Sequence, residues 1–325
     1  MKCLLIQPIH PSGIALLEAA GLTVAQASAA DMATVTAEIG DADAAITRNA
    51  GLNRAAMEAA PRLRVLGNHG IGVDPVDVGH ASSIGLPVVF TPWGNVQSVA
   101  ELAIAHMLAI ARRVREADSA VREGRFDYRY ARDFRELSGQ TLAIIGFGRI
   151  GRRTAEIAKA AFDMRILVYS PSVSDEVLAE AGFERGSDLD AVLAKADYVS
   201  LHQVLNERTR GNFGAARLAA MKPGATLINT ARGALVDARA LADAVESGHL
   251  RGAAMDVFET EPLPADHIYR STPGILLSPH IGGATEEALE RTAIQVATQV
   301  VDVLEGRRPE HLVNPEVWDS RRLPN

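Results

Sequence analysis

Apolar residues recur along this chain in short runs whose spacing separates strands from helices. Cys3–Ile6, Leu22–Ala25, Ala44–Thr47, Val65–Asn68 and Val88–Phe90 read as buried strands, with alanine-, leucine- and glutamate-rich helical stretches between them. Strands alternating with roughly 10–15 residues of helical pattern make βαβ units and a parallel sheet. From Asn95 to about Ala120 the spacing predicts one long helix, apolar on every face from Val99 to Ile110. Such a helix must be buried all round, between domains or in a subunit interface. Glu101 and His106 interrupt it, so no run approaches the roughly 18 apolar residues that a membrane helix needs. After a polar stretch from Arg122 to Gly139, a second series begins: Leu142–Ile145, Ile166–Tyr169, Tyr198–Leu201, Ala225–Asn229, Ala253–Val257 and Ile275–Leu277. Six strands with helices between them, such as Arg149–Ala161 and Asp237–Ser247, match a doubly wound sheet. A last helical stretch, Glu286–Glu305, precedes a polar tail.

The length, 325 residues, favours two domains over one core. With 47% apolar and 22% charged residues the chain is globular in type. Its net charge of -7, from 33 basic and 40 acidic residues, disfavours nucleic acid and anionic membranes as partners. A single cysteine, Cys3, rules out a disulfide framework or a cysteine-rich metal site, and no metal centre is expected. Such cysteine usage fits a reducing compartment, and cytoplasm is the expectation. The first apolar run is too short for a signal peptide and reads as a first strand.

The segment Thr141–Ile145 empties into Gly146-Phe147-Gly148-Arg149-Ile150-Gly151 and then a helical pattern. This G-x-G-x-x-G spacing, with strand before and helix after, suits a dinucleotide pyrophosphate: Gly146 for the turn, Gly148 for close backbone approach, Gly151 for helix–strand packing. The helix N-terminus adds unpaired N–H groups and partial positive charge. An acidic residue that would bind the ribose hydroxyls of NAD should follow the next strand, where Ser170 stands instead. No arginine follows nearby in sequence to attract a 2'-phosphate, so NAD is favoured slightly over NADP, although Ser170 and Ser172 could hydrogen-bond a 2'-phosphate.

Three further stretches follow strands: Asn229-Thr230-Ala231-Arg232, Asp256-Val257-Phe258-Glu259-Thr260-Glu261 and Ser278-Pro279-His280. Open α/β sheets bind ligands at the carboxyl ends of their strands, so an arginine, a carboxylate and a histidine would share one crevice. That set suits reduction of a 2-keto acid: arginine grips a carboxylate with two prongs, and a carboxylate-paired histidine moves a proton near neutrality.

With these residues in this order the chain resembles the D-isomer-specific 2-hydroxyacid dehydrogenases, which include phosphoglycerate dehydrogenases and glyoxylate and hydroxypyruvate reductases. The resemblance implies Arg232 as the substrate-binding arginine, Glu261 as the partner of the acid/base His280, and Asp256 as the holder of the nicotinamide carboxamide. Thr230 and Ala231 would border the cofactor. Asn95–Glu101 is similar to the family's interdomain-helix signature, and Asn68-His69-Gly70-Ile71-Gly72 to its substrate loop, whose N–H groups around Ile71 and Gly72 would hold the substrate carboxylate. The implied fold is a Rossmann cofactor domain, 99–285, inserted into a smaller flavodoxin-like α/β substrate domain, 1–98 and 286–325. The resemblance also implies a homodimer joined through the long apolar helix, and domain closure that excludes water.

Phosphoglycerate dehydrogenases commonly carry an arginine where this chain has Asn68, and many carry a C-terminal regulatory domain after the last helix. A small unphosphorylated 2-keto acid, such as glyoxylate or hydroxypyruvate, is therefore expected ahead of phosphoglycerate. Val204 also replaces the family's usual proline beside the cofactor. The rival readings are a non-catalytic dinucleotide-sensing protein and a formate- or phosphite-type dehydrogenase.

Overall fold

The structure, a computed structural model, describes residues 1–322. In chain order the elements are β1 (Lys2–Leu5), α1 (Pro11–Ala19), β2 (Thr23–Gln26), α2 (Met32–Glu38), β3 (Ala44–Thr47), α3 (Arg54–Glu58), β4 (Val65–Asn68), α4 (Val78–Ser83) and β5 (Val88–Phe90). They continue with α5 (Val96–Ala111), α6 (Val114–Arg122), β6 (Thr141–Ile145), α7 (Arg149–Phe162), β7 (Arg165–Tyr169), α8 (Asp175–Glu180), β8 (Glu184–Arg185), α9 (Leu189–Leu193) and β9 (Tyr198–Leu201). The last are α10 (Ala215–Ala220), β10 (Thr226–Asn229), α11 (Ala238–Glu246), β11 (Gly252–Met255), β12 (Ile275–Leu277) and α12 (Glu286–Leu304). Side-chain caps fix many helix starts, among them Asp31 on the Thr34 N–H, Asp237 on that of Ala240 and Thr285 on that of Ala288.

The described residues form two compact units, one from Met1–Asn95 with the segment from Gly283 onward, the other Val96–Gly282. These crossings fall slightly ahead of the 98/99 and 285/286 boundaries read from the sequence, and the tail residues 323–325 lie outside the described ones. The first unit is a five-stranded parallel sheet in the order β2-β1-β3-β4-β5, the flavodoxin-type arrangement. One face packs on α1 and α12 through Leu17, Ala293, Val296 and Val300, the other on α2, α3 and α4 through Val35, Met57 and Ala81. A Cβ on Gly67 would lie 2.7 Å from a Val296 methyl, so α12 rests directly on β4. Cys3 is buried in this core, where burial pushes its thiol pKa up to about 12.

The second unit is a seven-stranded parallel sheet, β12-β11-β10-β9-β6-β7-β8, which is the Rossmann order with one strand more. One face buries Ala143, Ile145, Val199 and Leu227 against α9, α10 and α11; the other buries Leu142, Ile144 and Ile228 against α5 and α7. Strand β8 was not expected, because two residues are too few to show a period of two.

The single long helix expected from Asn95 to Ala120 is a correction. It breaks after Ala111, where Arg113 adopts a left-handed backbone (φ 51°) and its guanidinium pairs with Asp133 at 2.7 Å. Nor is α5 covered all round within one chain: Val99, Ala103, Met107 and Ile110 are buried, while Leu108 is 36% exposed. Among the described residues no helix is long and apolar enough to cross a membrane.

Candidate active site

All seven strands of the second unit run parallel, so the segments that follow them emerge along one edge of its sheet. The order reverses between β6 and β9, the switch point where such sheets bind ligands. The glycine loop leaves β6 there. Gly146 takes φ 96°, and a Cβ on it would lie 2.7 Å from the backbone of His202, at the end of β9. A Cβ on Gly151 would lie 2.3 Å from the Gly146 carbonyl, so both positions demand glycine. Gly148 instead faces open space and starts α7 with no side-chain cap, leaving that helix's first N–H groups without one. This uncapped, unobstructed helix start fits a pyrophosphate. Phe147 turns its ring edge-on to Phe183, at 5.8 Å, while Arg149 is exposed and Ile150 half-buried at the helix start.

Ser170 ends β7, almost fully buried, with its hydroxyl 3.4 Å from that of Ser172. Sequence proximity offered no arginine here, yet pairing of β8 with β7 brings one. Arg185 sits opposite Val168, donates to the Ser170 carbonyl at 3.4 Å and to that of Val173, and pairs with Asp175.

Asn229, fully buried at the end of β10, shapes the next turn: its amide donates to the Arg232 carbonyl at 2.9 Å and its oxygen accepts from the Ala231 N–H at 3.0 Å. The Thr230 hydroxyl is buried beside it with no partner among the described residues, an orphan that a ligand would satisfy. A Cβ on Gly233 would lie 2.0 Å from the backbone of Phe258, so this turn and the β11 loop lie in direct contact. Glu261 in that loop accepts from the Phe258 N–H at 2.9 Å and pairs through its other oxygen with Nδ1 of His280 at 2.7 Å. Burial pushes the Glu261 carboxyl up, but the bonds from His280 and the Phe258 N–H, with the charge of Arg232, outweigh it and hold the group below its usual range. Asp256 is buried with both oxygens engaged, by the hydroxyl of Ser278 and the N–H groups of Ile281 and Gly282. Arg232, Glu261 and His280 are thus gathered at one sheet edge, with Nδ1 of the imidazole fixed and Nε2 left for chemistry.

The loop 68–72 belongs to the first unit. Asn68 is buried beneath it, its amide donating to the carbonyls of Gly70 at 3.0 Å and Gly72 at 3.1 Å. That staple holds the peptides around Gly70 and Ile71 from below, and Gly70 takes φ 155°. His69 is buried, with Nε2 unpartnered among the described residues; burial first, then the charge of Arg48, lowers its pKa to about 4. Arg48, at the end of β3, is a cation that the sequence reading passed over. Its signal was position, since it follows a buried strand on the carboxyl edge of the sheet, next to the strand that carries the loop. Among the described residues no three His, Cys, Asp or Glu side chains converge as metal ligands.

Residues 104–282 match the profile of the D-isomer specific 2-hydroxyacid dehydrogenase, NAD binding domain. The chain is 38% identical to a D-3-phosphoglycerate dehydrogenase of Methanocaldococcus jannaschii over 315 residues, 97% of this chain but 59% of that protein's length. It is 40% identical to a glyoxylate reductase of Thermofilum pendens over 270 residues, 82% of this chain and 79% of that one. The solved NADPH-dependent glyoxylate/hydroxypyruvate reductase of Sinorhizobium meliloti, in complex with NADP and malonate, matches with TM-score 0.86 and 27% identity, covering 100% of this chain and 99% of that one. A Rossmann sheet with this glycine turn defines an α/β nucleotide-binding class. Within it, the chain belongs to the D-isomer specific 2-hydroxyacid dehydrogenase family.

Proposed function

We propose that this protein is an NAD(P)-dependent oxidoreductase that interconverts a small unphosphorylated 2-keto acid, of the glyoxylate or hydroxypyruvate kind, with its D-2-hydroxy acid. The 2.7 Å pair between His280 and Glu261, at the sheet edge that carries Arg232, is the observation that carries this reading. The Gly146–Gly151 turn, with Thr230 and Ala231, would hold a nicotinamide dinucleotide, which would supply or accept the hydride. Arg232 grips the substrate carboxylate and draws charge from the adjacent carbonyl. His280 gives its Nε2 proton to the developing alkoxide, and Glu261 holds the ring by Nδ1 throughout. Asp256 borders the carboxamide, and backbone N–H groups around Ile71 and Gly72 hold the substrate carboxylate, with Asn68 shaping their loop from below and His69 beside it.

In this assignment residues 1–98 with 286–325 form the substrate domain and 99–285 the cofactor domain. NAD is favoured over NADP because Asp175 offsets the charge of Arg185 and would repel a 2'-phosphate. The half-exposed apolar side of α5 supports a homodimer, and the lone buried cysteine suits a reducing cytoplasm. One observation favours a second reading, a phosphorylated hydroxy acid: Arg48 follows β3, beside the strand β4 that leads into the substrate loop. Absorbance loss at the nicotinamide band, with glyoxylate, hydroxypyruvate, pyruvate and bulkier 2-keto acids against NADH and NADPH, tests the first reading. Oxidation of 3-phosphoglycerate with NAD tests the second, and inactivity toward every acid would leave only a dinucleotide-binding role.

A further inference from the structure

His106 is the one histidine of α5, a helix whose other buried positions are apolar or small, and the function proposed above gives it no task. It is buried, 4% exposed, and its Nε2 lies 3.2 Å from the hydroxyl of Ser278. That hydroxyl donates to Oδ1 of Asp256 at 2.5 Å. The serine oxygen is then left to accept, so His106 donates from Nε2 and its Nδ1 carries the lone pair. Nδ1 is buried with no partner among the described residues, a cost that a leucine in the same place would not carry. Burial lowers the pKa of the ring, against the pull of the Asp256 charge.

The far end of this chain of donors is the catalytic turn. Asp256 accepts the N–H of Ile281 on Oδ1 and that of Gly282 on Oδ2, each at 2.9 Å, while the His280 N–H donates to the Asp256 carbonyl at 2.8 Å. His280 itself stands at φ 54°, a left-handed backbone that costs a non-glycine residue energy and persists only where the surroundings over-determine it. Helix α5 grips the same turn a second time, through the Ser98 hydroxyl on the Gly282 carbonyl at 2.5 Å. We propose that His106 and Ser278 are positioning residues that act through Asp256 to hold the turn bearing His280 in its left-handed conformation.

This inference rests on His280 as the proton carrier, and its test reads the turn apart from turnover. The variants are His106→Leu, His106→Gln, Ser278→Ala and the double variant His106→Leu/Ser278→Ala, each as the full chain. Amide hydrogen exchange at Ile281 and Gly282, followed by NMR, should quicken about tenfold in His106→Leu and in Ser278→Ala, and return within about twofold of wild type in His106→Gln, whose amide can donate as Nε2 does. Melting temperature should stay level or rise in His106→Leu, since the unpaired Nδ1 is gone. With NADH and the best 2-keto acid, kcat should fall about fivefold in His106→Leu with the KM for NADH unchanged, and His106→Leu should add nothing in the Ser278→Ala background. Unchanged exchange at both amides overturns the proposal, as does an equal loss of kcat from His106→Leu in both backgrounds. Should His106→Leu not fold, Ser278→Ala carries the same exchange test. If the wild type reduces no 2-keto acid, the functional reading fails, and the exchange data alone decide whether the relay holds the turn.

Discussion

The two sheets of this protein end in loops that handle charge differently. At the carboxyl edge of the seven-stranded sheet, ionic side chains are held by other polar groups: buried Asn229 for the Arg232 turn, buried Asp256 for the His280 turn, and the more exposed Glu261 for the imidazole. In the five-stranded sheet the 68–72 loop presents backbone, and its staple, Asn68, points into the protein. A side chain can be tuned by a neighbour, whereas a peptide N–H can only be aimed. The proposed function accordingly assigns proton transfer to the first region and fixed recognition of an anion to the second.

The largest effect tests this division at its chemical end. His280→Ala should lower kcat for keto-acid reduction about 10³-fold, leaving NADH affinity, read by fluorescence titration, within about threefold of wild type. Arg232→Lys should cost about 10²-fold in kcat/KM, because a point charge cannot replace a two-pronged grip; a lysine variant of near-normal efficiency would reduce Arg232 to an electrostatic bystander. On the backbone side, Asn68→Ala should raise KM for the acid about tenfold with a smaller change in kcat, since the aim of the loop is lost while the proton carrier stays. A fall in kcat alone would place Asn68 with the chemistry instead.

A subtler effect concerns the cofactor end of the seven-stranded sheet. Asp175→Asn should free the Arg185 charge and raise the NADPH-to-NADH ratio of kcat/KM about fivefold. The smallest effect compares one histidine from each region. His69 and His202 are both lowered by burial, from 6.5 to about 4. Between those values the unfolded chain binds more protons than the folded one, so stability is full above pH 6.5 and falls as pH drops toward 4, by up to about 3 kcal/mol for each group. Melting temperatures from pH 7 to 4 should therefore fall less steeply in His69→Gln and in His202→Gln than in wild type.

Much of this arrangement was legible in the residues. The glycine turn announces itself because a strand, three glycines and a helix must follow one another at fixed spacing. The strands after it are apolar and end at their charged residues, so Arg232, Glu261 and His280 could be placed on one edge from pattern alone. What was hidden depends on pairing and direction. Arg185 lies fifteen positions from Ser170 in sequence and meets it only through the short strand β8. The break at Arg113 carries neither glycine nor proline to mark it. The inward turn of Asn68 and the clamp by Asn229 are matters of which way a buried amide points, and composition does not encode that.

Hydride exchange with an acid and mere dinucleotide sensing are separated by isotope transfer. Wild-type protein is incubated with NADH deuterated at C4 and the most active 2-keto acid, and the product is analysed by mass spectrometry and chiral chromatography. Deuterium should appear at C2 of a D-2-hydroxy acid, with the labelled product formed about 10³-fold more slowly in His280→Ala. Bound NADH that passes deuterium to none of the acids, or labelled product from His280→Ala at the wild-type rate, would contradict the proposed function.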